Sequence, residues 1–270
     1  MTWRHRQIQF IGHSGITSRV NAASIIVVAN TACREQALAA REVVVPQFFP
    51  YEETARWCLA ADLGQSSDPT AIAILVHRRG IVDAGNSFER RHGLSGPKQT
   101  KAERIDVRHL QRMPLHTPYP EIVRHIAELM ARPPLADSKP QLVLDLTGVG
   151  APLFDMFVAA GLKPLGIVIT GAFVDSVQWV TESRVHVSKQ LLISTVDARL
   201  HAAELRFSAQ LAEAAAMRAE LQNFRRQLTA QGRSTFSART GTHDDLLLAV
   251  AIGCWFLSLP PPPRITLGGY

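Results

Sequence analysis

Apolar residues in the first half of the chain fall into short runs and alternations that are typical of β-strands. Residues 57–64 (WCLAADLG) and 70–79 (TAIAILVHRR) are nearly continuous apolar runs separated by turn-forming residues, which predicts two buried antiparallel strands. Residues 103–114 alternate apolar and charged positions, which predicts a third, half-exposed strand. The alternating positions are Ile105, Val107 and His109. The intervening residues 80–100, which contain Gly, Asn, Ser and Pro, are expected to form a loop.

After these three strands, the apolar residues recur at the spacing of an α-helix. Residues 118–134 carry apolar side chains at helical spacing and end at two prolines, which predicts a helix. Two further apolar runs, 140–150 and 163–170, predict strands on either side of a helix at 151–162, for which Gly161 is the expected C-cap. The order β-β-β-α-β-α-β predicts an α/β fold: a three-stranded antiparallel meander extended by parallel strands into a mixed sheet, flanked by helices.

The last third of the sequence is predicted to be mainly helical. Helices are expected at 189–203, at 210–228 and, in a strongly apolar segment, at 242–257, with a short strand at 233–239. No internal repeat is evident.

Three domains or segments are predicted from these patterns. Residues 1–50 form an N-terminal extension or linker of uncertain structure, residues 51–259 form the α/β domain, and residues 260–270 form a Pro-rich tail that cannot continue a helix.

Composition narrows the classes of protein that need to be considered. Hydrophobic residues make up 46% and charged residues 19% of the 270 positions, which is enough apolar material for a full core. The 29 Lys and Arg residues exceed the 23 Asp and Glu residues, and the resulting charge of +6 favours a polyanionic partner such as nucleic acid. Three cysteines without zinc-site spacing argue against a disulfide scaffold and favour a reducing cytoplasm. The longest apolar stretch is too short to cross a bilayer, so no membrane partner is expected.

Acidic residues stand at the ends of the predicted core elements. Asp62 ends the first strand, Asp145 ends the strand after the first helix, and Asp244 and Asp245 open the last helix. Neighbouring strands would project the first two carboxylates side by side, and a helix across the sheet can add a third. Clustered carboxylates repel one another, so the arrangement favours divalent cations between them, and oxygen ligands suit Mg²⁺ or Mn²⁺. Two such ions can support hydrolysis of a phosphodiester.

Each acid also has a purely structural interpretation. Asp62 is followed by Leu63-Gly64 and can start a turn. Asp145 can cap the helix that follows it, and one of Asp244 and Asp245 can be the N-cap of the last helix.

Three segments, in this order, resemble the nuclease domain of bacteriophage terminase large subunits: AADLGQSSDPTAIAIL, LVLDLTGVGAPLFD and GTHDDLLLAVAIGCW. The resemblance covers residues 57–257 and implies an RNase H-like fold of the RuvC type. It also implies a two-metal endonuclease that cleaves double-stranded DNA in phage or prophage DNA packaging. The host cytoplasm is then the expected location, and a separate ATPase, a small terminase subunit and the portal are the implied protein partners.

Residue by residue, the resemblance implies that four aspartates bind two Mg²⁺ or Mn²⁺ ions and act in catalysis. Asp62 matches the first ligand of the family and Asp145 the second, while the third is Asp244 or Asp245, with Asp245 preferred. His243 and Asp68 are expected to have structural roles. Lys189 can approach the scissile phosphate, although a solvent-exposed position at a helix start is the expected one.

One feature departs from a full terminase large subunit. The sequence contains no G-x-x-x-x-G-K-[ST] phosphate loop, so without the ATPase motor the chain is expected to be an isolated nuclease module, a fragment or a decayed prophage remnant. A RuvC-like resolvase or transposase-type nuclease, and a non-catalytic DNA-binding remnant of the same fold, remain alternatives.

Basic residues are expected to contact DNA beside the metal site. One set lies in and around the predicted hairpin of the second and third strands. Its members are Arg78, Arg79, Arg90, Arg91, Lys98, Lys101, Arg104, Arg108 and Arg112. A second set precedes the last helix and comprises Arg225, Arg226, Arg233 and Arg239. A solvated charged surface is the alternative role for both sets.

Overall fold

The structure is a computed structural model. It describes residues 8–9, 28–29, 54–64, 68–83, 99–148, 150–171, 175–223, 225–228, 234–237 and 244–261. The strands are β1 (Ile8–Gln9), β2 (Val28–Ala29), β3 (Thr54–Asp62), β4 (Ala71–Asp83), β5 (Gln99–Arg112), β6 (Gln141–Asp145), β7 (Pro164–Thr170), β8 (Val177–Thr181), β9 (Arg184–Ser188), β10 (Leu205–Phe207), β11 (Arg225–Leu228) and β12 (Ser234–Ser237). The helices are α1 (Tyr119–Met130), α2 (Leu135–Ser138), α3 (Gly150–Ala159), α4 (Lys189–His201), α5 (Ala214–Asn223) and α6 (Asp245–Ser258).

Eight of the strands form one mixed sheet in the order β10-β5-β4-β3-β6-β7-β9-β8. Strands β3, β4 and β5 form the predicted antiparallel meander. Strand β6 pairs parallel to β3, and β7 pairs parallel to β6. The predicted meander extended by parallel strands is therefore confirmed. Two short antiparallel pairs, β1-β2 and β11-β12, lie outside this sheet.

The two faces of the sheet bury separate apolar cores, because successive strand residues point to opposite sides. In β3, Cys58 and Ala60 belong to the core that includes α4 and α6. Leu59 and Ala61 belong to the other core, which includes α1 and α3. Which face a side chain occupies can thus be read from its position in the strand.

Helix α6 is the central helix of the first core. Eleven of its fourteen residues are buried, and it contacts β3, β4, β5, β6, α4 and α5. A helix that is apolar around its whole circumference is expected to be enclosed on all sides. None of the described helices is long and apolar enough to cross a membrane.

The C-terminal end of α3 confirms Gly161 as its cap. Gly161 has φ +79°, and its amide donates to the carbonyl oxygen of Val158 over 2.9 Å. The Leu162 amide donates to the carbonyl oxygen of Phe157 over 3.1 Å. The helix therefore ends at a glycine in the left-handed conformation.

The predicted helix at 210–228 is wrong at both ends. Helix α5 spans only Ala214–Asn223, and Arg225–Leu228 forms strand β11, which pairs with β12 within the predicted strand 233–239. Helix-forming residues dominate this segment, but pairing with a distant strand overrides that local preference. The hairpin of β8 and β9 and the short edge strand β10 were also not predicted.

The predicted face shared by Ile105, Val107 and His109 is interrupted. A register shift between Ile74 and Leu75 places Leu75 opposite Val107 and Ile74 opposite His109, so Arg108 is the extra residue of a β-bulge. His109 is therefore on the opposite face from Val107, and Leu110 joins the α6-side core in its place.

The predicted loop at 80–100 is shorter than expected, since β4 continues to Asp83 and β5 begins at Gln99. Most of the predicted extension 1–50 and of the tail 260–270 lies outside the described residues.

Candidate metal centre

Asp62 and Asp145 end neighbouring parallel strands at the same level. Asp62 of β3 is the register partner of Asp145 of β6. Adjacent strands lie about 4.8 Å apart, and paired residues of parallel strands point to the same face. Because Ala60 and Val143, two positions earlier, belong to the α6-side core, both aspartates project from the face that α6 covers. The structure therefore places these two carboxylates side by side, as predicted.

Helix α6 brings the other two predicted acids to the same end of the sheet. Asp244 is its N-cap residue and Asp245 its first helical residue. The side chain of Asp245 is buried, whereas Asp244 is partly buried. Four aspartates from three distant parts of the chain thus converge at one end of β3, β6 and α6.

Burial raises the pKa of both strand aspartates, and repulsion by the other carboxylates adds to this at Asp62. Burial raises the pKa of Asp62 well above its usual range, and the charges of Asp145, Asp245 and Asp244 raise it further. Burial also raises the pKa of Asp145 to about 6, although the hydroxyl and amide of Thr147 and the charge of Lys189 oppose this. The cluster holds more negative charge than the neighbouring cations neutralise.

The carboxylate of Asp145 accepts a hydrogen bond from the Thr147 amide over 2.8 Å. Thr147 precedes α3, which begins at Gly150, so this bond closes a turn after β6 and does not cap the helix.

Lys189 lies beside the aspartates rather than in open solvent. Its Nζ donates to Oδ2 of Asp244 over 2.8 Å, and both side chains are partly buried. The expectation of a solvent-exposed lysine is therefore wrong. It also follows that Asp244 does not cap α6 with its own side chain.

Glu220 of α5 supplies the missing cap. Its Oε2 accepts the Leu247 amide over 2.8 Å, and its Oε1 accepts from Nη2 of Arg112. Nε of Arg112 also lies 3.8 Å from Oδ2 of Asp245. Burial raises the pKa of Glu220 to about 7, although the hydrogen bond from the Leu247 amide and the charge of Arg112 act to lower it. Glu220 and Arg112 together fix the start of α6, and with it the position of Asp245.

The donor set suits a hard divalent cation, because it consists of carboxylate oxygens at a point of uncompensated negative charge. Among the residues that the structure describes, no three His, Cys, Asp or Glu side chains already stand in a metal-binding arrangement. Asp145, Asp244 and Asp245 instead lie near Thr147, Lys189 and Arg112. A cation bound at Asp244 would compete with Lys189 for its carboxylate.

The loop after Asp62 is tightly packed at Gly64. The amide of Gly64 donates to the Thr70 hydroxyl over 3.1 Å. A Cβ atom on Gly64 would lie 2.0 Å from the carbonyl oxygen of Asp68 and 2.6 Å from the carbonyl carbon of Pro69. Only glycine allows the two sides of this loop to approach so closely.

Gly64→Ala is therefore expected to lower the free energy of unfolding by about 2 kcal/mol or more, because backbone atoms must move to admit the methyl group. Gly171→Ala is the matched control, since a Cβ there meets no atom within 4 Å. Urea unfolding of the two variants measures the difference. Equal midpoints for both would show that the loop relaxes without cost.

Most of the described basic residues of the hairpin lie away from the aspartates, contrary to expectation. Arg79 pairs with Thr54, which lies at the opposite end of β3 from Asp62. Arg78 pairs with Arg104 close to that same end of the sheet. Among the described basic residues of the hairpin, only Arg112, which pairs with Ala71, lies beside the acidic residues. The predictions for His243, Arg90, Arg91, Lys98, Arg233 and Arg239 fall outside the described residues. Asp68 is exposed in the loop that leads into β4.

Glu220 is the site residue that the sequence did not reveal. It lies in a segment of helix formers with several charged residues, where an acid is expected to face solvent. Its role depends on Leu247, 27 positions away, and no local pattern indicates that contact.

No protein-family model matches the chain, and no curated protein matches it. Solved structures that are similar to it include the large terminase nuclease from the thermophilic phage G20c, and the same nuclease with bound magnesium and with bound cobalt. Their identity to this chain is 15–16%, with TM-scores of 0.50–0.51, covering 87–88% of this chain and 89% of theirs. The likeness confirms the predicted RNase H-like fold.

Proposed function

We propose that this protein is a metal-dependent endonuclease that cleaves double-stranded DNA during phage or prophage DNA packaging. The observation that carries the proposal is the in-register pair Asp62 and Asp145, joined by Asp244 and Asp245 at the start of the buried helix α6. Like charges at a buried place cost free energy, so a fold that gathers them is best explained by a cation that uses them.

In this proposal, Asp62, Asp145 and Asp245 hold two Mg²⁺ or Mn²⁺ ions, and Asp244 shares in the binding. Such ions supply a nucleophilic water and charge stabilisation of the leaving oxygen. The similar G20c nuclease has been solved with magnesium and with cobalt, which supports a divalent-ion site in this fold.

The surrounding side chains have separate tasks in the proposed reaction. Lys189 is placed to neutralise a phosphate oxygen once Asp244 turns towards a cation, since its Nζ already lies within the acidic group. Arg112 and Glu220 hold the first turn of α6, so that Asp245 keeps its place when the charge of the site changes. The proposed packaging partners are an ATPase, a small terminase subunit and the portal.

Cleavage is expected to require Mg²⁺ or Mn²⁺ and to stop in EDTA, because the proposed site contains only carboxylate ligands. Nicking and linearisation of a supercoiled plasmid by the purified full chain measure this activity. Asp62→Asn, purified in parallel, controls for contaminating nucleases and should be inactive with either ion.

The same assay, extended to four-way junctions and paired with a DNA-binding measurement, separates the alternatives. Cleavage confined to four-way junctions would indicate a RuvC-like resolvase, and DNA binding without cleavage in either ion would indicate a non-catalytic module. Cleavage by wild type that persists in EDTA but is absent from Asp62→Asn would overturn the proposed metal dependence.

A further inference from the structure

A cavity of about 270 Å³ lies between the loop that joins β3 to β4 and the loop that joins β5 to α1. Gly64, which lines it, follows Asp62 by two residues, and Thr70, which also lines it, precedes the register partner of Asp62. The cavity reaches Ile122 of α1, which belongs to the core on the other face of the sheet from α6. It therefore lies at the same end of the sheet as the aspartates, on the α1 side.

The walls of this cavity are held in place by the protein itself. The Gly64 amide donates to the Thr70 hydroxyl over 3.1 Å, and the Met113 amide donates to the carbonyl oxygen of Thr70 over 2.8 Å. The second bond joins the two loops that form the walls. Proline fixes the backbone angle φ, and three of the lining residues are prolines: Pro69, Pro114 and Pro118. A cavity that is formed in advance requires little ordering when a ligand enters.

Two further features of the β5-α1 loop indicate a ligand. His116 lines the cavity and has φ +64°, a left-handed conformation that residues other than glycine adopt at a cost and that is frequent at ligand sites. Leu115 and Tyr119 are large apolar residues that are 45% and 36% exposed at this same loop. Exposed apolar side chains next to a concave surface are typical of a binding site.

The lining residues favour an uncharged planar ring with polar edges. None of the described residues that line the cavity is Lys or Arg, so no cation there would bind a phosphate. The proline rings and Tyr119 offer apolar surfaces, whereas Asp68 and His116 offer groups that can form hydrogen bonds with the edge of a ring. Drug-sized ligands occupy cavities of about 300–1,000 Å³, so this smaller cavity suits a single ring system.

We infer that this cavity receives one unpaired nucleobase of the DNA strand that passes Asp62. The inference rests on the proposed function, because that function brings DNA to the end of β3. Two residues span at most about 7 Å, which is about two base-pair steps at about 3.4 Å each, so the base belongs to a nucleotide within a few base pairs of the cut. A base leaves a duplex at a lower cost where it is mismatched. The protein should therefore prefer a duplex that contains a mismatch.

The test measures DNA binding by the full chain in Ca²⁺, by fluorescence anisotropy at fixed salt, so the result does not depend on cleavage. The probes are a short, fully paired duplex and the same duplex with a central T·T mismatch. Wild type is expected to bind the mismatched duplex at least about fivefold more tightly. Tyr119→Ala should reduce this preference to less than about twofold, because stacking of a base on an aromatic ring contributes about tenfold or more. Tyr119→Phe, which keeps the ring, should retain it.

Trp179→Ala is the matched control for loss of an exposed aromatic side chain. Trp179 is 51% exposed on β8, four strands from β3 in the sheet, and its removal should leave the preference unchanged. If Tyr119→Ala does not fold, His116→Asn takes its place, since asparagine also adopts the left-handed conformation.

Equal affinities of wild type for the two duplexes would indicate another occupant of the cavity and overturn the inference. A preference that survives in both Tyr119→Ala and His116→Asn would overturn it as well. A preference that depends on these residues in a protein that does not cleave DNA would support the inference and contradict the proposed nuclease activity alone.

Discussion

Asp145→Asn is expected to reduce DNA cleavage by at least about 100-fold while leaving the metal-free protein as stable as wild type or more stable. Asparagine has the same size and can still accept the Thr147 amide, so the local turn is retained. One negative charge disappears from a buried place where it is repelled, which favours folding. Loss of a proposed ligand removes the activity, because even partners of metal ligands contribute about 10–100-fold.

Plasmid cleavage and thermal unfolding, each with and without Mn²⁺, measure both parts of this prediction. Binding of an ion to the folded state raises the melting temperature by mass action, so wild type should gain more from Mn²⁺ than Asp145→Asn does. Asp155→Asn, on the exposed side of α3, is the control for removal of one charge. If Asp145 only caps the turn, the variant will cut DNA normally and show the wild-type response to Mn²⁺.

The metal-free protein is expected to lose stability as pH rises from about 4 to about 7. Asp145 has a folded-state pKa of about 6, above its ordinary value of 3.8, and the pKa of Asp62 is raised as well. Between these values the folded state holds protons that the unfolded chain has released, so deprotonation favours unfolding. The full penalty is present above the folded-state pKa, and for Asp145 alone it is up to about 3 kcal/mol.

Comparison with Asp145→Asn isolates this effect from other titrating groups. Buried His77, whose pKa is lowered mainly by burial, has the opposite sign, because its protonation below its ordinary pKa favours unfolding. His77 is the same in both proteins and cancels in their difference. The stability advantage of Asp145→Asn should therefore be small near pH 4 and grow towards pH 7, as measured by urea unfolding. Saturating Mg²⁺ should remove this pH dependence from wild type, and an advantage that is constant with pH would contradict the raised pKa.

The strands that form the centre of the sheet could be predicted because each corresponds to a local run of apolar residues in the sequence. The apolar runs that contain Asp62 and Asp145 are buried on both faces, and such strands are nearly continuous in hydrophobic residues. Helix α6 was predictable for a similar reason, since a wholly apolar helix that starts at two aspartates has few alternatives. The approximate place of all four aspartates followed from these elements.

What the sequence did not predict depends on contacts between distant residues. The bulge at Arg108 reverses the face of His109 through pairing with β4, and no composition signal marks it. Strand β11 occupies a segment of helix formers because β12 pairs with it. Glu220 and Lys189 have roles only because other elements bring Leu247 and Asp244 to them.

The central place of α6 also determines when the proposed metal site can form during synthesis of the chain. Strands β3 to β6 leave the ribosome first, and their α6-side face stays uncovered until residue 258 follows. At about 5–20 residues per second, roughly 10 s separate the two events. Asp245 arrives in the same helix that closes the core. A nascent chain therefore exposes one apolar face of the sheet before the proposed metal site can form, and a truncated product without α6 would lack Asp245 together with the helix that closes the core.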